Sequence, residues 1–211
     1  SNGDITLEAN LGTINNSATG LLGYLYVSSD SGNEEFFASN LTLNSKYLDN
    51  SGVVYSYDLN TNISEDLTNS GTIYSTNDQN LTVANSLDNS GDLFANNSLT
   101  ITNDSGTIDN SGNIKSNSTI DITTNTLNNN TDHSLILSGG DLSITSTLLI
   151  DNSNTDNNTF SALDTGTETI DIITAGISSV YGTSTLSSSS FINESGIVKS
   201  SGINLSLIGS D

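Results

Sequence analysis

The sequence predicts an all-β protein, a parallel β-helix (β-solenoid) with about 20 residues and three short strands per coil. Three observations support this fold class. A five-residue phrase, LDNSG in its fullest form, recurs along the chain at nearly constant intervals. Apolar residues alternate with Thr, Ser or Asp between the phrases, and the chain contains no proline. Proline cannot donate to a β-ladder, so its absence indicates that nearly every backbone N–H is needed for pairing.

The apolar residue that opens each phrase gives the length of the repeat. Between Leu48 and Ile150 it recurs every 19 to 23 residues, as solenoids do when their loops absorb small variations. We interpret the 34-residue interval from Ile14 to Leu48 as one coil plus an insertion. The 42-residue interval from Ile150 to Ile192 is interpreted as two coils, one of them degenerate. The opening residues are Ile14, Leu48, Leu67, Leu87, Ile108, Leu127, Ile150 and Ile192.

Two further apolar groups complete each coil. One residue lies six positions after the opening residue, and an alternating apolar pair precedes the next phrase. An apolar, polar, apolar spacing has period two and predicts a short strand with one buried face. The residues six positions on are Val54, Ile73, Leu93, Ile114 and Val198. The pairs are Leu41 and Leu43, Leu81 and Val83, Leu99 and Ile101, Ile120 and Ile122, Leu142 and Ile144, and Leu205 and Leu207.

The other residues of the phrase predict the corner of the coil. Asparagine stands two positions after the opening residue in each phrase except the last, where Glu194 stands. Asparagine side chains can hydrogen-bond to their equivalents on the next coil and so form a ladder. The glycine that ends the phrase is expected to permit a positive φ at the bend. We therefore predict structural ladder roles for Asn50, Asn69, Asn89, Asn110, Asn129, Asn152, Gly52, Gly71, Gly91 and Gly112.

The chain is predicted to be a single β-helix segment over residues 1–211, with regular repeats over 41–152. Residues 19–39 carry four of the 12 aromatic residues and are expected to form an insertion or an irregular coil. Residues 155–190 are rich in Ser and Thr and are expected to be degenerate repeats. About ten coils, each rising about 4.8 Å, would give a rod about 50 Å long. Both ends fall within the repeat pattern, so we expect an excerpt of a longer array.

Two other solenoids fit this sequence less well. A helical solenoid needs more residues per unit and a 3.6-residue period, and neither is present. A leucine-rich repeat has a similar length, but it would place several leucines in one L-x-x-L-x-L strand. The parallel β-helix is therefore the preferred interpretation.

Composition excludes several classes of partner. The chain has 3 basic and 24 acidic residues, a net charge of −21. Nucleic acids and anionic membrane surfaces are bound through Lys and Arg, so we predict neither partner. No apolar run is long enough to span a membrane, and no membrane insertion is predicted. The chain has no cysteine, which excludes disulfides and cysteine-ligated metals.

The segment NLTVANSLDNSGDLFANNSLTITNDSGTIDNSGNIKS, residues 80–116, resembles the filamentous haemagglutinin repeats of bacterial two-partner secretion exoproteins. The shared pattern is an apolar residue followed by D/N/T-N-S-G and a short strand such as L-T-I. It is clear over residues 41–152 and weaker elsewhere. The family includes large adhesins and the stalks of contact-dependent growth inhibition toxins. The resemblance implies a right-handed parallel β-helix, export from a Gram-negative cell, and no catalytic residue within the repeat.

Candidate catalytic and metal-binding residues are few. The single histidine, His133, is interpreted as a loop residue, because one His without Cys makes no His-rich metal site. Asp164, Glu168 and Asp171 form the densest carboxylate group and would suit a β-helical carbohydrate-active enzyme. Such enzymes pair their acids with Arg or Lys, and this chain has no Arg, so we predict no enzyme activity. We predict no cofactor; calcium is the cation that this surface suits best, although the G-G-x-G-x-D repeat is absent.

A column of outward-facing threonines suggests an ice-binding surface as another alternative. The sequence places Thr6, Thr42, Thr82, Thr100, Asp121 and Ser143 in that column. A second column holds only Thr102, Thr123 and Thr145. Asp121 and Ser143 interrupt the first column, so ordinary solvated strand residues are the preferred interpretation.

The leading prediction is a noncatalytic structural and adhesive rod segment of a large secreted exoprotein at the bacterial cell surface. Its partner would be a receptor or glycan of a host or neighbouring cell. Contact surfaces are expected where the repeat fails, at residues 24–37 or 155–190. The alternative is an extracellular filament that self-associates head to tail through its terminal coils, because unpaired strand edges template further pairing.

Overall fold

The computed structural model describes residues 4–23, 25–28, 35–154, 161–164, 169–172 and 175–208. It confirms the predicted fold class, since the chain forms an all-β parallel β-solenoid of about seven turns with about 21 residues each. None of these residues forms a helix, so no helix among them could cross a membrane.

Each coil presents three faces, and the strands are numbered along the chain. The first and second faces belong to one 12-stranded sheet, in which long strands bend from one face to the next. Its strands are β1 (Ile5–Asn16), β5 (Leu41–Asn50), β7 (Leu59–Ile63), β8 (Leu67–Asn69), β10 (Gln79–Val83), β11 (Ser86–Asn89), β13 (Ser98–Asn110), β15 (Thr119–Asn128), β17 (Leu142–Asp151), β21 (Thr183–Ser188), β22 (Ser190–Ile192) and β24 (Gly202–Leu207).

The third face is an 8-stranded sheet of short strands, each paired in parallel with its equivalents one coil before and after. Outside the two sheets lie two antiparallel hairpins, β3 with β4 and β18 with β19. The strands of the third face are β2 (Leu21–Gly23), β6 (Val53–Ser56), β9 (Thr72–Ser75), β12 (Asp92–Ala95), β14 (Asn113–Ser116), β16 (Leu135–Ser138), β20 (Gly176–Ser179) and β23 (Val198–Lys199). The hairpin strands are β3 (Leu25–Ser28), β4 (Glu35–Ala38), β18 (Ser161–Asp164) and β19 (Thr169–Ile172).

The core is a continuous column of aliphatic side chains along the solenoid axis. Each face contributes inward residues at period two, and stacking the coils buries them against the coils on either side. The phrase-opening residues from Leu48 to Ile150 are fully buried, and so are Val54, Ile73, Leu93 and Ile114 of the third face. Burial of these side chains stabilises the fold because it removes apolar surface from water. The chain has no disulfide to add to this contribution.

Two excursions explain why the solenoid has fewer coils than predicted. Ile14 pairs directly with Leu48, and the hairpin of β3 and β4 lies between them, which confirms one coil plus an insertion. Ile150 pairs directly with Phe191, and the hairpin of β18 and β19 lies between them. The prediction of two coils in that interval was wrong, as was the total of ten, because the hairpin residues add length without adding a turn.

The predicted register of the apolar pairs was wrong in two coils. Gln79 pairs with Leu99, whereas the sequence pattern had matched Leu81 to that position. Near the end of the chain, Leu205 pairs with Leu186 and so occupies the second position of its pair, where the pattern had given it the first. A slip of two residues keeps every side chain on its own face, so periodicity alone does not detect it.

Candidate functional site

The asparagines of the phrase form a ladder along the inside of the corner, buried from Asn16 to Asn152 and exposed at Asn193. Each side-chain Nδ2 donates a hydrogen bond to the Oδ1 of the asparagine on the next coil, at 2.7 or 2.8 Å. The ladder contains Asn16, Asn50, Asn69, Asn89, Asn110, Asn129, Asn152 and Asn193.

The same amides join the second face to the third. Nδ2 of Asn50 also donates to the carbonyl of Thr72 at 3.2 Å, and Nδ2 of Asn89 donates to the carbonyl of Asn113 at 3.1 Å. Each amide within the ladder therefore donates to the next coil and accepts from the preceding one, as Asn50 does between Asn16 and Asn69. These groups are saturated within the protein, so the ladder holds the coils together and presents nothing to a ligand.

The ladder extends one coil further than the sequence pattern predicted. Nδ2 of Asn152 donates to Oδ1 of Asn193 at 2.8 Å, whereas the pattern placed Glu194 at this position. The reason is the pairing of Ile150 with Phe191, which moves the phrase by one residue. Ser195 in the following turn has a φ of 53°.

The glycines of the phrase do not have the backbone conformation that was predicted for them. Among the described residues, positive φ is found for Gly23 and Gly176 but not for the four phrase glycines, so that prediction was wrong. They are required for space instead. A Cβ on Gly71 would overlap the carbonyl oxygen of Gly52, and a Cβ on Gly91 would overlap that of Gly71. Close approach of successive coils leaves no room for a side chain.

Carboxylates at the corners also have structural roles that the sequence reasoning missed. Asp78 accepts hydrogen bonds from the Ser98 hydroxyl at 2.6 Å and from Nδ2 of Asn97 at 2.7 Å, both on the next coil. The Ser98 hydroxyl is the main cause that lowers the pKa of Asp78. Asp58 likewise accepts from Asn77 of the next coil at 2.8 Å. Part of the large negative charge is therefore used in pairing between coils.

An acidic groove of about 270 Å³ lies on the outside of the second face. It is lined by Asp88 and Asp109, which pair across neighbouring coils. Partial burial, and then the carboxylates of Asp109 and Asp66, raise the pKa of Asp88. In the part of the chain that the structure describes, no three His, Asp or Glu side chains are placed to hold a metal ion. Among the described residues that line the groove, there is therefore no third carboxylate beside Asp88 and Asp109.

Two of the three carboxylates weighed for a carbohydrate-active enzyme, Asp164 and Asp171, lie on the second hairpin. Asp164 ends β18, where it pairs with Thr169, and Asp171 on β19 pairs with Ala162. Glu168 lies outside the described residues. His133 is an exposed loop residue whose Nε2 is 3.9 Å from Oδ1 of Asp132. Of the aromatic residues of 24–37, Tyr26, Phe36 and Phe37 lie on the first hairpin, whose backbone alone is described, and Tyr24 lies outside the described residues.

The threonine columns on the first face differ from the predicted ones. Thr82 pairs with Thr102, so it belongs to the second column and not the first. The second column is continuous through Thr82, Thr102, Thr123 and Thr145. In the first column Asn60 and Asn80 stand before Thr100, and Asp121 follows it.

The third face carries an outward stripe, which we call the aromatic–lysine stripe, of Tyr55, Tyr74, Phe94 and Lys115 on four consecutive coils. The Tyr55 and Tyr74 ring centroids are 5.2 Å apart, as are those of Tyr74 and Phe94, whose planes differ by 12°. Burial, and then Tyr74, raises the pKa of Tyr55. All four side chains are half-buried and in reach of solvent.

The sequence contains a signal for this stripe in the spacing of its four members. Each member stands seven positions after a phrase-opening residue, one position beyond the buried residue of the third face. The sequence pattern places the expected contact surfaces where the repeat fails, at residues 24–37 or 155–190. The stripe lies within the regular repeats, at 41–152.

Comparison of the chain with known protein families, with curated proteins and with solved structures finds no match. Its own geometry is that of a β-solenoid with an asparagine ladder.

Proposed function

We propose that this chain is a noncatalytic rod segment of a large exoprotein exported to the bacterial cell surface, where it acts as a stiff spacer and an adhesive surface. The observation that carries the proposal is the unbroken ladder from Asn16 to Asn193 beside a continuous aliphatic core. Every coil is bonded to the next through backbone, side chains and packing. An array of this kind transmits tension along its axis and leaves its outer faces free for contact.

The resemblance to filamentous haemagglutinin repeats supports the same function. The chain combines the family's phrase with a parallel β-solenoid, and its charge of −21 favours an isolated, soluble surface structure. Two-partner secretion is the export route that the resemblance suggests. The partner is a receptor or glycan on a host or neighbouring cell.

Single-molecule stretching of the full chain tests the structural half of this proposal. We expect unfolding in small steps of one or a few coils, at a force that Asn89→Ala lowers and the exposed-site variant Asn62→Ala leaves unchanged. A single low-force transition, equal in all three proteins, contradicts a role as a tension-bearing rod. Beads coated with the chain and presented to bacterial and animal cells test the adhesive half, and binding no greater than that of uncoated beads contradicts it.

One observation favours a filament as the second candidate. On β24 the side chains of Ile203, Leu205 and Leu207 are 51, 50 and 62% exposed, although Leu186 in the preceding coil is buried. β24 pairs with β21 along one edge, and such apolar residues beside its other edge suit stacking of a second copy. Sedimentation velocity over a hundredfold concentration range tests this, with Leu205→Lys as the variant that abolishes association. A monomer at all concentrations rules out the filament and leaves the rod proposal intact.

A further inference from the structure

The aromatic–lysine stripe differs in charge from the rest of this acidic surface. Its column on the third face continues through Leu137, Ser178 and Lys199 and contains no acidic residue among the described coils. It holds two of the three lysines of the chain. Aromatic side chains and the lack of acidic residues mark this column as distinct in a protein of net charge −21.

Beside the stripe lies a second outward column that supplies hydrogen-bonding groups. Thr72, Asp92 and Asn113 occupy it on three consecutive coils. Nδ2 of Asn113 donates to Oδ1 of Asp92 at 2.7 Å and so orients the carboxylate. Together the two columns enclose a shallow groove of about 350 Å³, lined by Thr72, Tyr74, Asp92, Phe94 and Lys115. One wall is apolar and aromatic, and the other is polar.

We propose that this groove binds a neutral glycan, lying along the solenoid axis. A pyranose ring has an apolar C–H surface, which packs against the aromatic wall, and an edge of hydroxyl groups, which hydrogen-bond to the polar wall. Tyr74 and Phe94 contact the C–H groups, Asp92 accepts hydrogen bonds from hydroxyls, and Lys115 donates to ring or hydroxyl oxygens. A site built with oriented polar groups beside an apolar wall fixes the sugar in one pose.

Spacing and charge select the kind of glycan. The aromatic centroids are 5.2 Å apart, one per coil. One sugar of an extended β-linked chain has nearly the length of one coil step, about 4.8 Å, so successive sugars meet equivalent groups on successive coils. A polyanionic glycan would be repelled by the net charge of −21, against which the groove sets only Lys115.

This inference rests on the proposed adhesive role, for which it names the site and the ligand class. The rod function and the glycan site are tested by separate experiments. Stretching measures the mechanical strength of the chain without any ligand, and titration measures glycan binding by the groove without any force. A chain that behaves as a rod but binds no neutral glycan overturns only the inference drawn from the groove.

Titration calorimetry of the full chain with cellohexaose, chitohexaose, mannohexaose and maltohexaose tests the site, with hexagalacturonate as the polyanionic probe. We expect at least one of the three β-linked oligosaccharides, cellohexaose, chitohexaose and β-1,4-mannohexaose, to bind more tightly than the α-linked maltohexaose, and hexagalacturonate not to bind. Phe94→Ala and Asp92→Asn are each expected to weaken that binding about tenfold, the effect of one lost aromatic or hydrogen-bonding contact. Thr82→Ala, on the first face of the same coil, is the matched control and leaves binding unchanged.

Phe94→Leu serves as a second variant, because it keeps most of the apolar volume and removes only the aromatic ring. It is expected to retain the wild-type circular dichroism spectrum and still weaken binding. The inference is overturned if none of the three β-linked oligosaccharides binds, if hexagalacturonate binds most tightly, or if Thr82→Ala weakens binding as much as Phe94→Ala does.

Discussion

The side-chain amide of Asn89 donates a hydrogen bond to Oδ1 of Asn110, 2.8 Å away, and both side chains are buried. Asn69 of the preceding coil donates in turn to Oδ1 of Asn89 at 2.8 Å. One amide therefore connects three consecutive coils. Because its loss leaves buried partners unsatisfied on both neighbouring coils, it contributes more to stability than an exposed hydrogen bond.

Replacing this amide is expected to destabilise the chain strongly. Asn89→Ala removes one accepted and three donated hydrogen bonds, so we expect a loss of about 3 to 5 kcal/mol in the free energy of unfolding. Urea denaturation followed by circular dichroism measures it. The control is Asn62→Ala at an exposed position of β7, which should change stability by less than about 0.5 kcal/mol. Equal effects of the two substitutions would contradict a ladder that holds the coils together.

The phrase glycines are expected to tolerate no side chain. Gly91→Ala places a Cβ against the carbonyl oxygen of Gly71, so the two coils must separate locally. We expect a loss of about 2 to 4 kcal/mol and a lower thermal midpoint. Gly12→Ala is the matched control in β1, because its nearest neighbour, the carbonyl oxygen of Ala9, would be 4.0 Å from the new Cβ. A wild-type midpoint for Gly91→Ala would show that the coils can accommodate a methyl group there.

Gln79 offers a stabilising substitution. Its side chain is 0% exposed in a column between Leu59 and Leu99, and neither Oε1 nor Nε2 has a hydrogen-bond partner among the described residues. A buried amide without partners costs free energy that an aliphatic side chain of similar size avoids. We expect Gln79→Leu to raise the free energy of unfolding by about 1 to 3 kcal/mol in urea titrations. A destabilised variant would instead indicate partners such as buried water.

Two corner carboxylates are expected to respond to pH in opposite directions. The pKa of Asp88 is raised in the folded state, so its contribution to stability is present below its unfolded pKa and is lost as pH rises through the folded pKa. Asp88→Asn should therefore be more stable than the wild type at pH 7, and the difference should vanish at pH about 3, below the ordinary aspartate pKa. Unfolding free energies from pH 3 to 7 measure this.

Asp78 provides the contrast on the same solenoid. Its pKa is lowered, so its stabilising contribution is present above the unfolded pKa and is lost as pH falls through the folded pKa. Asp78→Asn should be less stable than the wild type at pH 7, with the gap narrowing on acidification. If both variants shift stability in the same direction at pH 7, the two carboxylates do not have the environments described for them.

Much of the fold could be predicted from residues that repeat in phase. The buried positions of Leu67, Leu87 and Ile108, and the asparagines two positions after them, follow from the phrase itself. Where the phrase changes, the predicted position was wrong by one residue. The ladder position predicted at Glu194 is occupied by Asn193, because periodicity does not show which turn is one residue shorter or longer.

The candidate site was harder to predict for a related reason. Tyr74 and Phe94 are 20 residues apart, and neither carries a motif that marks it as a binding residue. Their contact arises because strands β9 and β12 pair in register. The polar wall of Thr72 and Asp92 is brought alongside by the same pairing.

The sequence by itself determined the all-β solenoid, the length of its repeat and the side chains of its ladder, because these depend on local alternation and on one phrase per coil. Tertiary structure decided which residue stacks on which: Gln79 on Leu99, Phe191 on Ile150 and Phe94 on Tyr74. It also showed that the phrase glycines are needed for space. Stacking depends on how residues are divided between coils and excursions, and a two-residue slip leaves the local pattern unchanged, so only the paired strands reveal it.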